Sequence, residues 1–506
     1  MANNTSHNKV WWLVCIAVLS LFHLLAKNTD KMEFDHLYKM AQFSRIAAIL
    51  KNFPFDTLSS QDKFLYIECL AKSAQRNEAE KLMQKPMAED VFPGQAHLTT
   101  AIVHTSRGQF VEAEHNLRQA LRLNPESPKT KIAMMMLALY LQKYREVLDM
   151  HEDFMKGDPE WTKSYLSHLL GIEIYGTVGD IAKIAELYET QANKFKKLDK
   201  KQYQNFQKNF RLYRKQSKNK AFQSKATSSR VALPFVELTN KDSFATIPLE
   251  IKDKRYKVLL DTGNRVGWTI HSRELEKQLK HRPGGTVLTQ IGAEEGMIHG
   301  HLLLTKQLDF PDITLQHLPG MYVPKPHPNY PEANLNPLFI RDRVVTLDFK
   351  NKELILRTKE RFHEDIMQVS SQSEKVVTLP RYGYEQAFIP VVVNNRHKAL
   401  AMIETGAQEI TVNLDFALRH RLPLEPAIKY LSTGKEFSYH KTPFQMSLGF
   451  FKMNRRTTDV WSFEKMADPL TGLMPDILLG PDLFKERYVV TFNPYEKTII
   501  ITEFSF

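Results

Sequence analysis

Only two of the 506 residues are cysteine, Cys15 and Cys69, so no disulfide framework holds this chain together. Cys15 lies in an apolar run and Cys69 in a helical pattern, which reads both as reduced packing residues. Several catalytic signatures are also missing. There is no phosphate-binding glycine loop, no HExxH pair and no GxSxG nucleophile elbow. His299 and His301 have no third ligand at a useful spacing, so no metal is expected, and nothing calls for a cofactor. Acidic residues are scarce in one place. From Lys194 to Arg230 there are thirteen Lys or Arg and the single Asp199. Outside that segment the chain is close to neutral, so the net charge of +12 is a local feature. No nucleic-acid-binding signature accompanies it, and no nucleic-acid partner is expected.

What is present is an ordinary globular composition, 42% hydrophobic and 25% charged, over a length that suits roughly three domains. Val10 to Ala26 is an uncharged apolar run between Lys9 and Lys27, preceded by a short tail, residues 1–9. At about 1.5 Å per residue it just reaches across a bilayer. Trp11 and Trp12 sit where an interfacial anchor would. A cleaved signal peptide is the rival, but no small-x-small site follows the run. The expectation is a single-pass N-terminal membrane anchor over residues 10–26. Its sidedness stays open: the flanking lysines point to a cytoplasmic C-terminal side, whereas a short N-terminal anchor more often acts in export.

Residues 31–222 carry helical periodicity with a 34-residue period. Ala79, Ala113 and Val147 are so spaced, as are Pro125 and Pro159. In Ser106 to Pro125, Gly108, Phe110, Ala113, Ala120 and Pro125 fall on the small, aromatic, small, small and proline positions of the tetratricopeptide repeat, which the segment resembles. The resemblance implies an all-α solenoid whose groove takes a protein partner. A generic helical bundle is the alternative. Near its end Tyr203, Phe206, Phe210 and Tyr213 form one helix face with Lys and Arg on the others. That helix either caps the last repeat or lies on an anionic membrane surface. A linker is expected at 223–231.

From residue 232 the period shifts toward two, and Gly, Pro, Asn and Asp separate short β-rich runs. One pattern occurs twice. IPLEIKDKRYKVLLDTGN ends at Asp261-Thr262-Gly263, and IPVVVNNRHKALAMIETGA at Glu404-Thr405-Gly406. Each copy closes with a matching tail, VVTLDFKNKELIL from Val344 and VVTFNPYEKTIII from Val489. Each half thus delivers one acid at a strand end, where Gly permits close backbone approach.

These motifs, with ILLGPDLF from Ile477 to Phe484, resemble the aspartic protease superfamily of retropepsins and pepsins over roughly residues 232–506. The resemblance implies an all-β domain of two lobes, 232–372 and 373–506. It also implies a catalytic dyad of Asp261 and Glu404, bracing by Thr262, Gly263, Thr405 and Gly406, and a packing segment at Leu479 and Gly480. A flap would sit on a hairpin carrying Gly292, Gly296 and Gly300, although an ordinary surface hairpin reads equally well. The activity implied is hydrolysis of a peptide or protein substrate by a water shared between two acids. Two departures stand out. The second acid is Glu404, not Asp, which displaces the carboxyl by about 1.5 Å unless the loop retreats, enough to cost about 100-fold in rate. Where lobe two has LLGPDLF, lobe one has NLNPLFI, Asn334 to Ile340, without the glycine. Two other readings remain: an inactive peptide-binding module on a repeat scaffold, and pairing of lobe one with lobe one of a second chain.

Overall fold

The computed structural model describes residues 33–85, 93–196, 200–217, 223–236, 244–279, 281–290, 297–324, 330–369, 376–383, 385–430, 436–448, 451–484 and 488–503. A helical array occupies the first part and β-structure the second. Helices come in pairs: Ser60–Lys72 with Arg76–Met83, Pro93–Ser106 with Phe110–Leu123, Pro128–Tyr140 with Tyr144–Phe154, and Tyr165–Val178 with Ile181–Phe195. Ser59, Ser127 and Ser164 cap three of the leading helices through their side-chain oxygens. The 34-residue period has a structural cause. The tight turn within each of the first three pairs holds one left-handed residue, Ala74 (φ 64), Gly108 (φ 69) and Gln142 (φ 54). Ala79, Ala113 and Val147 are fully buried one turn into the second helices, where small side chains let the helices approach.

The anchor expected at residues 10–26 lies outside the described residues. Among the described residues no helix is long and apolar enough to cross a membrane. The expected fold class, which began with a spanning helix, is corrected to a helical array followed by a large β region. The single-pass location and membrane partner drawn from that helix are set aside. The membrane-surface reading of the basic helix is also replaced. Lys200–Ser217 packs Phe206 and Tyr213 against Tyr188 of the last pair, with ring centroids 6.1 and 5.4 Å apart. On another face Asn205 and Asn209 bond the backbone of a β-hairpin: Thr286 N–H donates to Asn205 Oδ1 (2.7 Å) and Gly285 N–H to Asn209 Oδ1 (2.6 Å). The aromatic stripe is therefore a packing face. Residues 223–231, read as a linker, instead contribute to two strands, Gln223–Ala226 and Arg230–Pro234.

The β region is built twice on one plan. In lobe one the strands run in the order Thr246–Ile251, Lys254–Leu260, Ala333–Leu335, Trp268–Ile270, Ile313–Tyr322, Met297–Phe310, His281–Gln290. Lobe two repeats that order with Phe388–Val393, His397–Ile403, Ile477–Leu479, Thr411–Asn413, Phe451–Trp461, Glu436–Leu448, Glu425–Tyr430. Each leading hairpin turns through consecutive left-handed residues, Lys252 and Asp253 in one, Asn394 and Asn395 in the other, which suits the right-handed twist of paired strands. A third, six-stranded sheet joins the lobes. The tail strands Val344–Asp348 and Val489–Asn493 pair at its centre, with Thr346 opposite Thr491 and their hydroxyls 3.0 Å apart.

The helical array is fused to lobe two through its pair turns. Leu400, Met402 and Leu478 share a core with the helices, while the alternating neighbours Ala401, Ile403, Ile477 and Leu479 face the core of the β region. Polar contacts join the same surfaces. Lys72 Nζ donates to Leu470 O (2.9 Å), and the Gly383 amide donates to Tyr140 O (2.8 Å). Gln142 Nε2 donates to Arg381 O (2.8 Å). Arg76 is wholly buried and donates to Met474 O (2.9 Å), Asp415 (2.8 Å) and Asp476 (3.2 Å). Removing one partner of such a network strands the others without water. Arg76→Ala should cost about 3–5 kcal/mol of stability, read as a lower midpoint in chemical denaturation of the full chain.

Candidate active site

The two acids arrive on equivalent strands. Lys254–Leu260 runs parallel to Ala333–Leu335, and His397–Ile403 runs parallel to Ile477–Leu479. The Asp261 amide donates to Leu335 O (2.9 Å) and the Glu404 amide to Leu479 O (3.1 Å), so each acid leaves its strand at the same point. Leu479 therefore holds Glu404 through its carbonyl. The next residues interlock across the lobes. Thr262 N–H donates to Thr405 Oγ1 (3.0 Å), and Thr405 N–H donates to Thr262 Oγ1 (3.1 Å). Thr262 Oγ1 donates to Ile403 O (2.7 Å), and Thr405 Oγ1 to Leu260 O (2.5 Å). Each hydroxyl thus ties its own loop to the opposite acid strand.

The glycines serve close approach. A Cβ on Gly406 would lie 2.7 Å from Asp261 Oδ1, and a Cβ on Gly263 would overlap the Glu404 carboxyl. The longer Glu404 side chain therefore lies over Gly263. Both side chains are oriented by local amides: Gly263 N–H donates to Asp261 Oδ1 (3.0 Å) and Gly406 N–H to Glu404 Oε1 (2.9 Å). Asp261 and Glu404 are hydrogen-bonded to each other. Asp261 is half-buried and Glu404 is 7% exposed.

Burial and the Asp261 charge push the Glu404 carboxyl well above its ordinary range. Burial also raises Asp261, but bonds from Glu404, the Gly263 amide and Asn334 oppose it. Both carboxyls are thus held above their ordinary range, and the pair shares one proton between them.

Three side chains that the sequence motifs did not single out complete the site. Asn334 Nδ2 donates to Asp261 Oδ2 (2.9 Å). Asn336 stands where lobe two has Gly480. In lobe two a Cβ would run into the Gln408 carbonyl, which requires glycine. In lobe one Asn336 Nδ2 instead donates to Asn264 O and Glu385 O (2.8 Å each), bridging the acid loop to the other lobe. The lost glycine is thus a gained strut. Arg265, four residues after Asp261, lies 3.6 Å from Asp468 of lobe two and 3.4 Å from Gln386 Oε1. The only sequence signal for the two asparagines was the oddity of NLN against LLG.

The hairpin expected as a flap has its strands, His281–Gln290 against Met297–Phe310, with Gly300 opposite Val287. Gly292 and Gly296 lie outside the described residues. His299 and His301 are exposed, and among the described residues no group of three His, Cys, Asp or Glu is placed to hold a metal ion.

Because the folded chain prefers Glu404 protonated, the stability this group contributes is complete below the ordinary carboxyl range and is lost as pH rises through its raised pKa. Glu404→Gln keeps a donor and removes the titration. Relative to wild type its melting temperature should rise progressively from pH 4.5 to 8 and show no gain at pH 3.

No family model matches the chain, and no curated protein matches it. Among solved structures it is similar to conglutin gamma, a basic 7S globulin from lupine seeds, at 12% identity over 56% of this chain and 96% of that one, with a TM-score of 0.34. It is also similar to a retropepsin-like aspartic protease from Rickettsia conorii, at 18% identity over 25% of this chain and 89% of that one, with a TM-score of 0.19.

Proposed function

We propose that this chain is an aspartic-type endopeptidase working through an Asp261/Glu404 dyad. One observation carries the reading: two acids on equivalent strand ends, bonded to each other and gripped by two crossed threonines. Such a pair has one base and one acid at a single proton cost. Ionised Asp261 takes a proton from a water. Glu404 donates its proton toward the scissile carbonyl oxygen as the water attacks the carbon. The Gly263 and Gly406 amides hold both carboxyls in place through the transfer.

The methylene of Glu404 is accommodated, since its carboxyl reaches Asp261 across Gly263. On this reading the longer acid is part of the working geometry. The substrate is an extended peptide with apolar side chains, because a β-lined groove pairs with extended backbone. The helix pairs, spaced like tetratricopeptide repeats, recruit the substrate or a protein partner on the surface that lobe two leaves open.

The test is cleavage of a diverse peptide mixture by the full chain from pH 3 to 7, with products read by mass spectrometry. Asp261→Ala should abolish cleavage. Glu404→Asp should lower the rate on the order of 100-fold, because a carboxyl retracted by about 1.5 Å no longer meets its partner. If the wild type cleaves nothing but retains peptides that Asp261→Ala also retains, the chain is a binding module. If Glu404→Asp creates activity that the wild type lacks, the methylene has disabled the site.

A further inference from the structure

The two lobes differ at one position that touches only one acid. In lobe one Asn334 pairs with Leu259 beside the acid strand, and in lobe two Leu478 pairs with Met402 at the same register. Leu478 is turned into the core shared with the helices and has no polar atom to offer Glu404. Asn334 is 5% exposed, and its Nδ2 donates to Asp261 Oδ2. Its Oδ1 is buried and has no hydrogen-bond partner among the described residues. A buried carboxamide with half its capacity unused costs stability unless something else requires it. The framework does not hold this side chain; Asp261 does.

We propose that Asn334 is the positioning residue that assigns the shared proton, keeping Asp261 ionised and leaving the proton on Glu404. A donated N–H is strongest to a carboxylate and weaker to a neutral acid. Asp261 Oδ1 accepts from the Gly263 amide and Oδ2 from Asn334, so neither oxygen is well placed to carry a proton. Glu404 accepts from the backbone amides of Gly406 and Gly263, but among the described residues no side chain donates to it as Asn334 does to Asp261. Two nearly symmetric halves are thereby made chemically unequal, with the base in lobe one and the acid in lobe two. This assignment deepens the endopeptidase reading for the direction of proton flow, but the inequality itself does not depend on cleavage.

The experiment is a stability cycle on the full chain: wild type, Asn334→Leu, Asp261→Asn and the double variant, each melted between pH 3 and 8. Loss of a bond to an ionised acid costs more than loss of one to a neutral acid. The drop in melting temperature caused by Asn334→Leu should therefore grow as pH rises through the Asp261 titration. In the Asp261→Asn background, where nothing ionises at 261, the drop should be the same at every pH. A drop independent of pH in the wild-type background, or an equal pH dependence without Asp261, would sink the assignment. Asn334→Ala repeats the cycle if the leucine variant does not fold. Cleavage is not the readout, so a chain that cuts nothing can still show the inequality, and an active chain can lack it.

Discussion

Everything at the site depends on the two threonines that cross between lobes. Thr262 and Thr405 each give a hydroxyl to the opposite acid strand and receive an amide from the opposite loop. Each bond alone is worth about 1 kcal/mol, but the four close a ring that no single lobe can make. The same pseudo-symmetry recurs in the joining sheet, where Thr346 and Thr491 meet from equivalent positions of the two tails. With the lobes pinned at both places, the acids have little freedom in how they face each other. Their mutual burial then does the electrostatic work of confining a single proton.

The helical array is part of the same construction. Its period places the tight turns of successive pairs in a row, and that row is what lobe two covers. Leu400, Met402 and Leu478 would be exposed without it. The burial of Arg76 among Asp415, Asp476 and Met474 makes the junction specific as well as apolar. At the other end of the array, Asn205 and Asn209 of the basic helix hold the bulged backbone of the lobe-one hairpin. The array therefore touches both lobes, at lobe two through its turns and at lobe one through its last helix.

Asymmetry between the halves is concentrated around the acids. Glu stands against Asp, Asn336 against Gly480, and Asn334 against Leu478. The lobe-two glycine answers a crowding carbonyl at Gln408, while lobe one carries a carboxamide strut at the same place. Leu478 answers the helices that cover lobe two. Lobe one at the same register carries Asn334 and turns it to Asp261. A duplicated fold has thus been specialised by what packs on each copy.

Much of this was legible in the sequence. The doubled DTG and ETG runs marked both acids, their threonines and the tails, because strand, turn and acid recur at nearly constant spacing. The 34-residue period marked the helix pairs, because each needs a small residue where its helices cross. Other features were decided only in three dimensions. The aromatic stripe of Lys200–Ser217 reads equally as a membrane face or a packing face, and only Tyr188 and the neighbouring hairpin determine which. Residues 223–231 look like a linker because short edge strands lack a strong pattern until a sheet accepts them. The meaning of NLN was hidden for the same kind of reason. An asparagine in a strand carries no sign of its partner, and the partners here, Asp261, Asn264 and Glu385, lie 49 to 73 residues away in the chain.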